Sequence, residues 1–274
     1  MCSRFPRRLA ALVVAIAAAA AAAQPAELRV CAEPDNLPFS HLDGSGFENA
    51  IAELVARDLG RVVRYTWLPN RRGFVRKTLG EGDCDVIIGV PHDLDRVRTT
   101  RPYYTSSYVF VHRDGGPRIA SFADPRIVRA RIGIPLVADD LATTPPGHAL
   151  AHAGAIDNVR GFPVDGERTQ GERIVHAVAT GELDAAILWG PQAAFYAKRE
   201  AVTLAIEKAS APAALAGVPF EYAIAMGVRR RDAELQRTLD DVIVRRRSDI
   251  DAILARFGVP RFDVDRHAGA GAAR

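Results

Sequence analysis

The sequence contains no G-x-S-x-G turn, no phosphate-binding glycine loop and no Ser-His-Asp spacing. Nothing in it therefore marks a hydrolase nucleophile or a phosphoryl-transfer cradle. Cysteine is scarce, with Cys2, Cys31 and Cys84 only, and none stands in a recognisable Cys-His arrangement, which argues against a catalytic thiol. His148 and His152 share a helical spacing with Asp139 and Asp140 upstream, but no third ligand follows at a recognised spacing, so the pair defines no metal site. Long apolar runs are missing beyond residues 9–23, a stretch shorter than the roughly 20 residues that span a bilayer. No cysteine follows its small residues to accept a lipid.

Charge of one sign is lacking as well. The chain has 36 Lys+Arg against 33 Asp+Glu, and Arg4, Arg7 and Arg8, which no acid accompanies, lie ahead of the apolar run; without these three the count is 33 against 33. A balanced chain lacks the electrostatic drive to bind nucleic acid, so Arg229-Arg230-Arg231 and Arg245-Arg246-Arg247 read as solvated helix ends. The three arginines, the apolar run and Ala21-Ala22-Ala23 together read as a cleaved secretory signal over residues 1–23. The mature chain is predicted to be soluble and exported. Arg7-Arg8 has no fuller twin-arginine motif around it.

With 48% hydrophobic residues, a mature chain of roughly 250 residues can bury one large core or two modest ones. Residues 28–32 read as a short apolar strand. Phe47, Ile51, Leu54, Val55 and Leu59 follow at helical spacing, closed by Gly60 as a left-handed cap. A strand at 62–67, a short helix at 74–79 and an apolar strand at 86–90 complete a β-α-β-α-β run, the pattern of a parallel sheet. Beyond the turn cluster Asp114-Gly115-Gly116-Pro117 the order repeats, with strands at 131–134, 159–164 and 185–189 and helices near 148–153, 171–180 and 192–199.

The halves echo each other. GDCDVIIGVP and GELDAAILWGP both run glycine, two residues, aspartate, apolar strand, then glycine and proline, with Cys84 in the place of Leu183. FEYAIAMGV is one more strand. Two helices follow it, carrying Leu235, Leu239, Val242 and Ile243, then Ile250, Ile253, Leu254 and Phe257, and Ser248 with Asp251 predicts a capping box on the second. Ligands of open α/β sheets sit outside the carboxyl ends of the strands. Two such units facing each other predict a cleft lined by the loop after the first strand and by the Gly-Pro segments.

LRVCAEPDNLPF, GFENAIAELVARDLG, LGEGDCDVIIGV, RPYYTSSYVFV, TGELDAAILWGP and YAIAMGV, in that order and spacing, resemble the bacterial periplasmic solute-binding proteins of family 3, the two-lobed amino-acid-binding type. The resemblance covers nearly the whole mature chain. It implies an α/β periplasmic-binding-protein fold of type II, in which each lobe is an open, mainly parallel sheet flanked by helices. Two hinge crossings are expected near 108–112 and 221–225, with lobe 1 formed by 24–111 plus 221–266, lobe 2 by 112–220, and 267–274 a disordered tail. Such lobes close by hinge motion.

More narrowly, CAEPDNLPFS, NRRGFVRKTL, CDVIIGVP, TTRPYYTSSYVFV, TPPGHALA, DNVRGF and LDAAILWGPQAAFYA resemble the MoxJ/XoxJ-type subgroup associated with quinoprotein dehydrogenases of methanol oxidation. This implies a periplasmic accessory protein that is not an enzyme, carries no cofactor and works with a pyrroloquinoline-quinone-dependent alcohol dehydrogenase. It would bind that enzyme to support its activity or maturation, or bind a small related solute. The alternative is a receptor that passes a small solute other than an amino acid to an ABC transporter permease. An enzyme on this fold, such as a dehydratase using Glu33 or Asp139 as general acid or base, has no catalytic motif behind it.

The departures from the amino-acid binders are informative. Trp189 stands where their second-lobe strand ends in the aspartate that holds the ligand's ammonium group, and a neutral aromatic cannot supply that charge. Arg96 is the candidate for their carboxylate-gripping arginine, on a segment shorter than their pattern. Their hydroxyl-rich anion loop is replaced by VADDLATTPPGHAL, where Asp139 and Asp140 disfavour an anion and Thr143 and Thr144 are donors at a helix start. An α-amino acid is not the expected ligand.

The candidate cleft residues begin with Glu33, Asp35, Asn36 and Phe39 on the first-lobe loop, whose bland reading is a proline-stiffened turn with Phe39 as a core plug. Arg71 and Arg72 read either as contacts for an acidic ligand or as ordinary exposed arginines. Pro91 and Gln192 belong to the Gly-Pro segments. Tyr103 and its neighbour Tyr104 either stack on a ligand or brace the hinge, and Trp189 either lines a pocket or packs in the second core. Cys31 and Cys84, both on expected strands in an oxidising compartment, form a disulfide or stay as two buried thiols.

Overall fold

The computed structural model describes residues 25–69, 71, 73–137, 142–164 and 168–260. The expectations for the signal, the tail, Arg72, Asp139 and Asp140 lie outside them. Strand β1 (Glu27–Ala32) pairs in parallel with β2 (Val62–Trp67) and with β3 (Val86–Pro91). Helix α1 (Phe47–Asp58) connects β1 to β2 and buries Phe47, Ile51, Leu54 and Val55, after which Gly60 reverses the chain at φ 64°. An L side chain rarely adopts that angle, so glycine is needed there. The short helix expected at 74–79 forms as a π-helical turn over Arg76–Gly80.

The long strand β4 (Tyr104–Arg113) leads into the second half. There β5 (Ile132–Val137), α2 (Pro145–His152), β6 (Val159–Phe162), α3 (Gln170–Thr180), β7 (Ala185–Trp189), α4 (Gly190–Ala197) and β8 (Leu204–Lys208) follow in order. The chain returns through β9 (Glu221–Val228) and ends in α5 (Ala233–Arg245) and α6 (Arg247–Phe257). The strand order is β6-β5-β7-β4-β9-β3-β1-β2, with β8 added on β4.

Strand β4 belongs to two sheets. Its residues Tyr104 to Ser107 pair antiparallel with β9, whereas Tyr108 to His112 pair with β7 from Trp189 to Ala185. The change of partner falls between Ser107 and Tyr108, so residues 108–112, expected as a hinge crossing, already lie in the second sheet. Each sheet is covered on both faces, as a mainly parallel sheet requires. Alternation decides which face each residue serves. Val30, Val86 and Ile88 pack towards α1, α5 and α6, while Cys31 and Ile87 pack with Phe74, Leu79 and Val97. In the second sheet Phe110, Ala185 and Ile187 face one core, and Val109, Val111, Ala186 and Leu188 face the core shared with α3 and α4.

The sequence echo is a structural repeat. Gly82 and Gly181 turn the chain at φ 87° and 83°, and the aspartate three residues on clamps the start of the neighbouring strand. Asp85 donates its N–H to the Arg29 carbonyl at 2.8 Å and takes the Arg29 guanidinium on its carboxylate at 2.5 and 3.0 Å. Asp184 does the same with Arg131, at 2.9 Å through the backbone and 2.6 and 3.2 Å through the side chains. In the first copy Arg229 adds a third arm at 2.8 Å. Burial pushes the Asp85 carboxyl up, but the bonds from Arg29 and Arg229 outweigh it and hold the group below the usual carboxylate range.

One local expectation needs correction. Helix α6 starts at Arg247 with Arg246 as its N-cap and no side-chain capping bond. Because α5 runs almost directly into it, the Arg246 carbonyl takes the Ile250 N–H at 2.9 Å, leaving Ser248 inside the first turn with nothing to cap. Asp251 instead accepts from Arg247 at 3.2 Å. His148 and His152 are both exposed on α2, and among the described residues no group of three or more His, Cys, Asp or Glu is placed to hold a metal.

Candidate functional site

The site begins with the way α1 is started. Its first N–H groups, on Phe47 and Glu48, donate to the carbonyls of Pro38 and Phe39, each at 2.8 Å. Ser40 Oγ donates to the Glu33 carbonyl at 2.8 Å, and Asn49 Oδ1 accepts from the N–H groups of His41 and Gly46 at 3.0 and 3.1 Å. The loop after β1 is thereby fastened to the helix N-terminus, supplying the partners that the exposed end of a helix needs. Gly46 lies so close to the Phe39 carbonyl that no β-carbon fits.

This fastening turns Glu33, Asn36, Phe39 and Glu48 towards a cavity of about 400 Å³ between the two halves of the molecule. The remaining walls come from Gly89 and Pro91 on β3, Tyr104 and Tyr108 on β4, Trp189 at the carboxyl end of β7, and Tyr222 and Ile224 on β9. Trp189 sits edge-on between two rings, with centroids 5.3 Å from Tyr108 and 5.8 Å from Tyr222. The volume suits a small ligand.

The electrostatics are one-sided. Among the described lining residues there are two carboxyl groups, Glu33 and Glu48, and no basic side chain. The carboxyl of Glu48 takes no hydrogen bond or ion pair from a described residue, and it lies in the space that a β-carbon at Gly89 would fill. Burial, and secondarily the charge of Glu33, push the Glu48 carboxyl up to about 8. A helix N-terminus ordinarily favours an acid in its first turn. Here the N–H of Glu48 is already given to Phe39, and the desolvation dominates.

Cys31 on β1, which itself lines the cavity, and Cys84 in the turn just before β3 are paired as a disulfide with Cα atoms 5.5 Å apart. Of the other residues singled out, Glu33, Asn36, Phe39, Pro91 and Trp189 line the cavity together. Phe39 also packs on Phe47 at 5.3 Å, so both of its readings apply. Asp35 is exposed and lines a separate hollow beside Arg168 and Tyr196. Arg71 and Arg96 are exposed and line no part of the cavity. Tyr103 is fully buried with its hydroxyl donating to the Ile88 carbonyl at 3.0 Å; Tyr104, the first residue of β4, lines the cavity in its place. Thr143 and Thr144 sit at the start of α2, and Gln192 packs over Gly171, all away from the cavity.

Glu48, Tyr108 and Tyr222 were not singled out from the sequence. A further contact links the halves beside the cavity. Tyr196 on α4 donates its hydroxyl to the Leu37 carbonyl at 3.1 Å and receives one from Thr169 Oγ1 at 2.5 Å, while Leu37 packs on the second-half core.

Residues 28–259 match the bacterial extracellular solute-binding proteins, family 3. Protein MoxJ of Methylorubrum extorquens is 33% identical over 249 residues, which cover 85% of this chain and 81% of that protein. The crystal structure of periplasmic binding protein XoxJ from Methylobacterium extorquens AM1 superimposes with a TM-score of 0.71 at 34% identity, over 86% of this chain and 99% of that one. MxaJ from Methlophaga aminisulfidivorans MPT gives a TM-score of 0.75 at 25% identity, over 86% and 100%. A two-lobed α/β sheet architecture with its cavity between the halves, joined to these similarities, places the chain in family 3 of the bacterial extracellular solute-binding proteins, within the MoxJ-type subgroup.

Proposed function

We propose that this chain is a non-catalytic periplasmic accessory protein that associates with a pyrroloquinoline-quinone-dependent alcohol dehydrogenase, supports its activity or maturation, and holds a small ligand between its lobes. The similarity to MoxJ over 85% of the chain carries the reading, because the resemblance to that subgroup implies such a partner. The described cavity agrees with it. Trp189 closes the strand end at which amino-acid binders place an acid, and no arginine among the described lining residues is available for a carboxylate. In this reading residues 1–23 direct export, residues 24–111 with 221–266 form one lobe, and 112–220 form the other.

The test is affinity capture of the tagged mature chain from the periplasm of its own host. Recovery of an alcohol dehydrogenase that carries pyrroloquinoline quinone, identified by mass spectrometry and by its quinone spectrum, is the expected result. A saturable solute that raises the melting temperature without any captured dehydrogenase supports the second reading, a receptor for an ABC transporter, which the same cavity would serve.

A further inference from the structure

We infer that the cleft seats a small organic cation without a carboxylate, its charge held by Glu48 and its alkyl groups by the aromatic walls. The inference rests on the cleft being a ligand site and names the class of ligand. Four observations converge on it. The carboxyl of Glu48 faces the cavity with no hydrogen bond or ion pair from a described residue. Tyr104, Tyr108, Trp189 and Tyr222 surround the same space, and aromatic faces attract cations as well as apolar groups, a tryptophan most strongly. The described lining contains no basic side chain that would repel a cation or grip a carboxylate. Trp189 also removes the second-lobe acid that an α-ammonium group would need, so the charge of the ligand is met from the first lobe.

Binding is coupled to a proton. Among the described residues the titratable groups that face Glu48 are Glu33 just after β1, Tyr65 on β2, Tyr103 just before β4 and Tyr104 on it. All three tyrosines are raised above their ordinary value by burial, which leaves Glu48 to titrate near neutrality, at about 8. A cation requires its ionised form. Affinity therefore rises roughly tenfold from pH 7 to pH 9, as the ionised fraction grows from about a tenth to nine tenths.

Quaternary ammonium probes isolate the effect, because their own charge does not change with pH. Titration calorimetry of the mature chain with tetramethylammonium, choline and benzyltrimethylammonium at pH 7 and pH 9 is set against two controls, 3,3-dimethylbutan-1-ol, the neutral isostere of choline, and glycine betaine, which adds a carboxylate. The expected result is that at least one cation binds and tightens roughly tenfold at the higher pH, while the two controls bind at least tenfold more weakly than choline or not at all. Glu48→Gln loses the cation while keeping its unfolding midpoint at pH 5. Binding of the neutral isostere as tightly as choline, a cation affinity insensitive to pH or unchanged in Glu48→Gln, or no binding of any of the three cations overturns the inference. Its failure is separable from that of the functional reading. Dehydrogenase capture without cation binding leaves the association standing, and cation binding without capture leaves this inference standing.

Discussion

Glu48 makes a stability prediction of unusual sign. The folded chain keeps the carboxyl proton up to about pH 8, whereas the ordinary value is 4.5. Between these two values the unfolded chain binds fewer protons than the folded one, so stability falls as pH rises through the window and levels off above it. Each pH unit removes about 1.4 kcal/mol, which sets a ceiling of about 5 kcal/mol across the window. Glu48→Gln removes the titration at nearly constant shape. Guanidinium unfolding of both proteins at intervals from pH 5 to pH 9 should show nearly equal stability at pH 5 and an advantage for the variant that grows to several kcal/mol, with about 5 as the limit, at pH 9. The acids held to about 2 by their partners, Asp43, Asp124 and Glu207, titrate below this window and do not mask it. A difference between the two proteins that stays constant with pH would refute the reasoning, because it would mean that Glu48 is solvated in the folded chain.

The two copies of the Asp-Arg clamp should differ in cost. Asp85→Asn leaves the partly buried Arg29 and Arg229 without their carboxylate and costs about 3 kcal/mol, whereas Asp184→Asn frees the exposed Arg131 and costs about 1 kcal/mol; equal losses in denaturant midpoints would contradict the burial difference. Under denaturing, non-reducing conditions the mature chain should show no free thiol. Changing Cys31 and Cys84 together to alanine should cost up to about 4 kcal/mol for a loop of 53 residues, and two titratable thiols would rule the bridge out. Tyr196→Phe deletes the hydroxyl link to Leu37 and should favour lobe separation by about 1 kcal/mol, seen as a larger radius of gyration in small-angle scattering; an unchanged radius would show that the contact does not hold the lobes together.

The elements were legible where the chain is locally unambiguous. The strands at 62–67 and 185–189 were read with their observed bounds, because each is a short β-rich or apolar run between turn residues. β5 outruns its expected end at residue 134 through Pro135 and reaches Val137. Its neighbour β7 pairs only with Ile132 and Gly133, so on that side the missing proline N–H breaks no ladder bond. The site was less legible. The local pattern does not say which of Tyr103 and Tyr104 meets the cleft, since Tyr103 precedes β4 and both rings, 5.1 Å apart, pack in one core built by residues far away in sequence. Glu48 reads locally as an ordinary first-turn acid; only the passage of β3, with Gly89 beneath it, turns it into a desolvated group. Trp189 and the loop from Glu33 to Phe39 were found because strand ends in an open sheet point at the ligand space whatever the details of packing.

The proposed function pairs this chain with a quinoprotein alcohol dehydrogenase. Its most direct test is isothermal titration of the purified mature chain into the host's purified quinoprotein alcohol dehydrogenase. Saturable heat with a defined stoichiometry is the expected result, and the absence of saturable binding at concentrations of both proteins well above those of the periplasm would contradict the association.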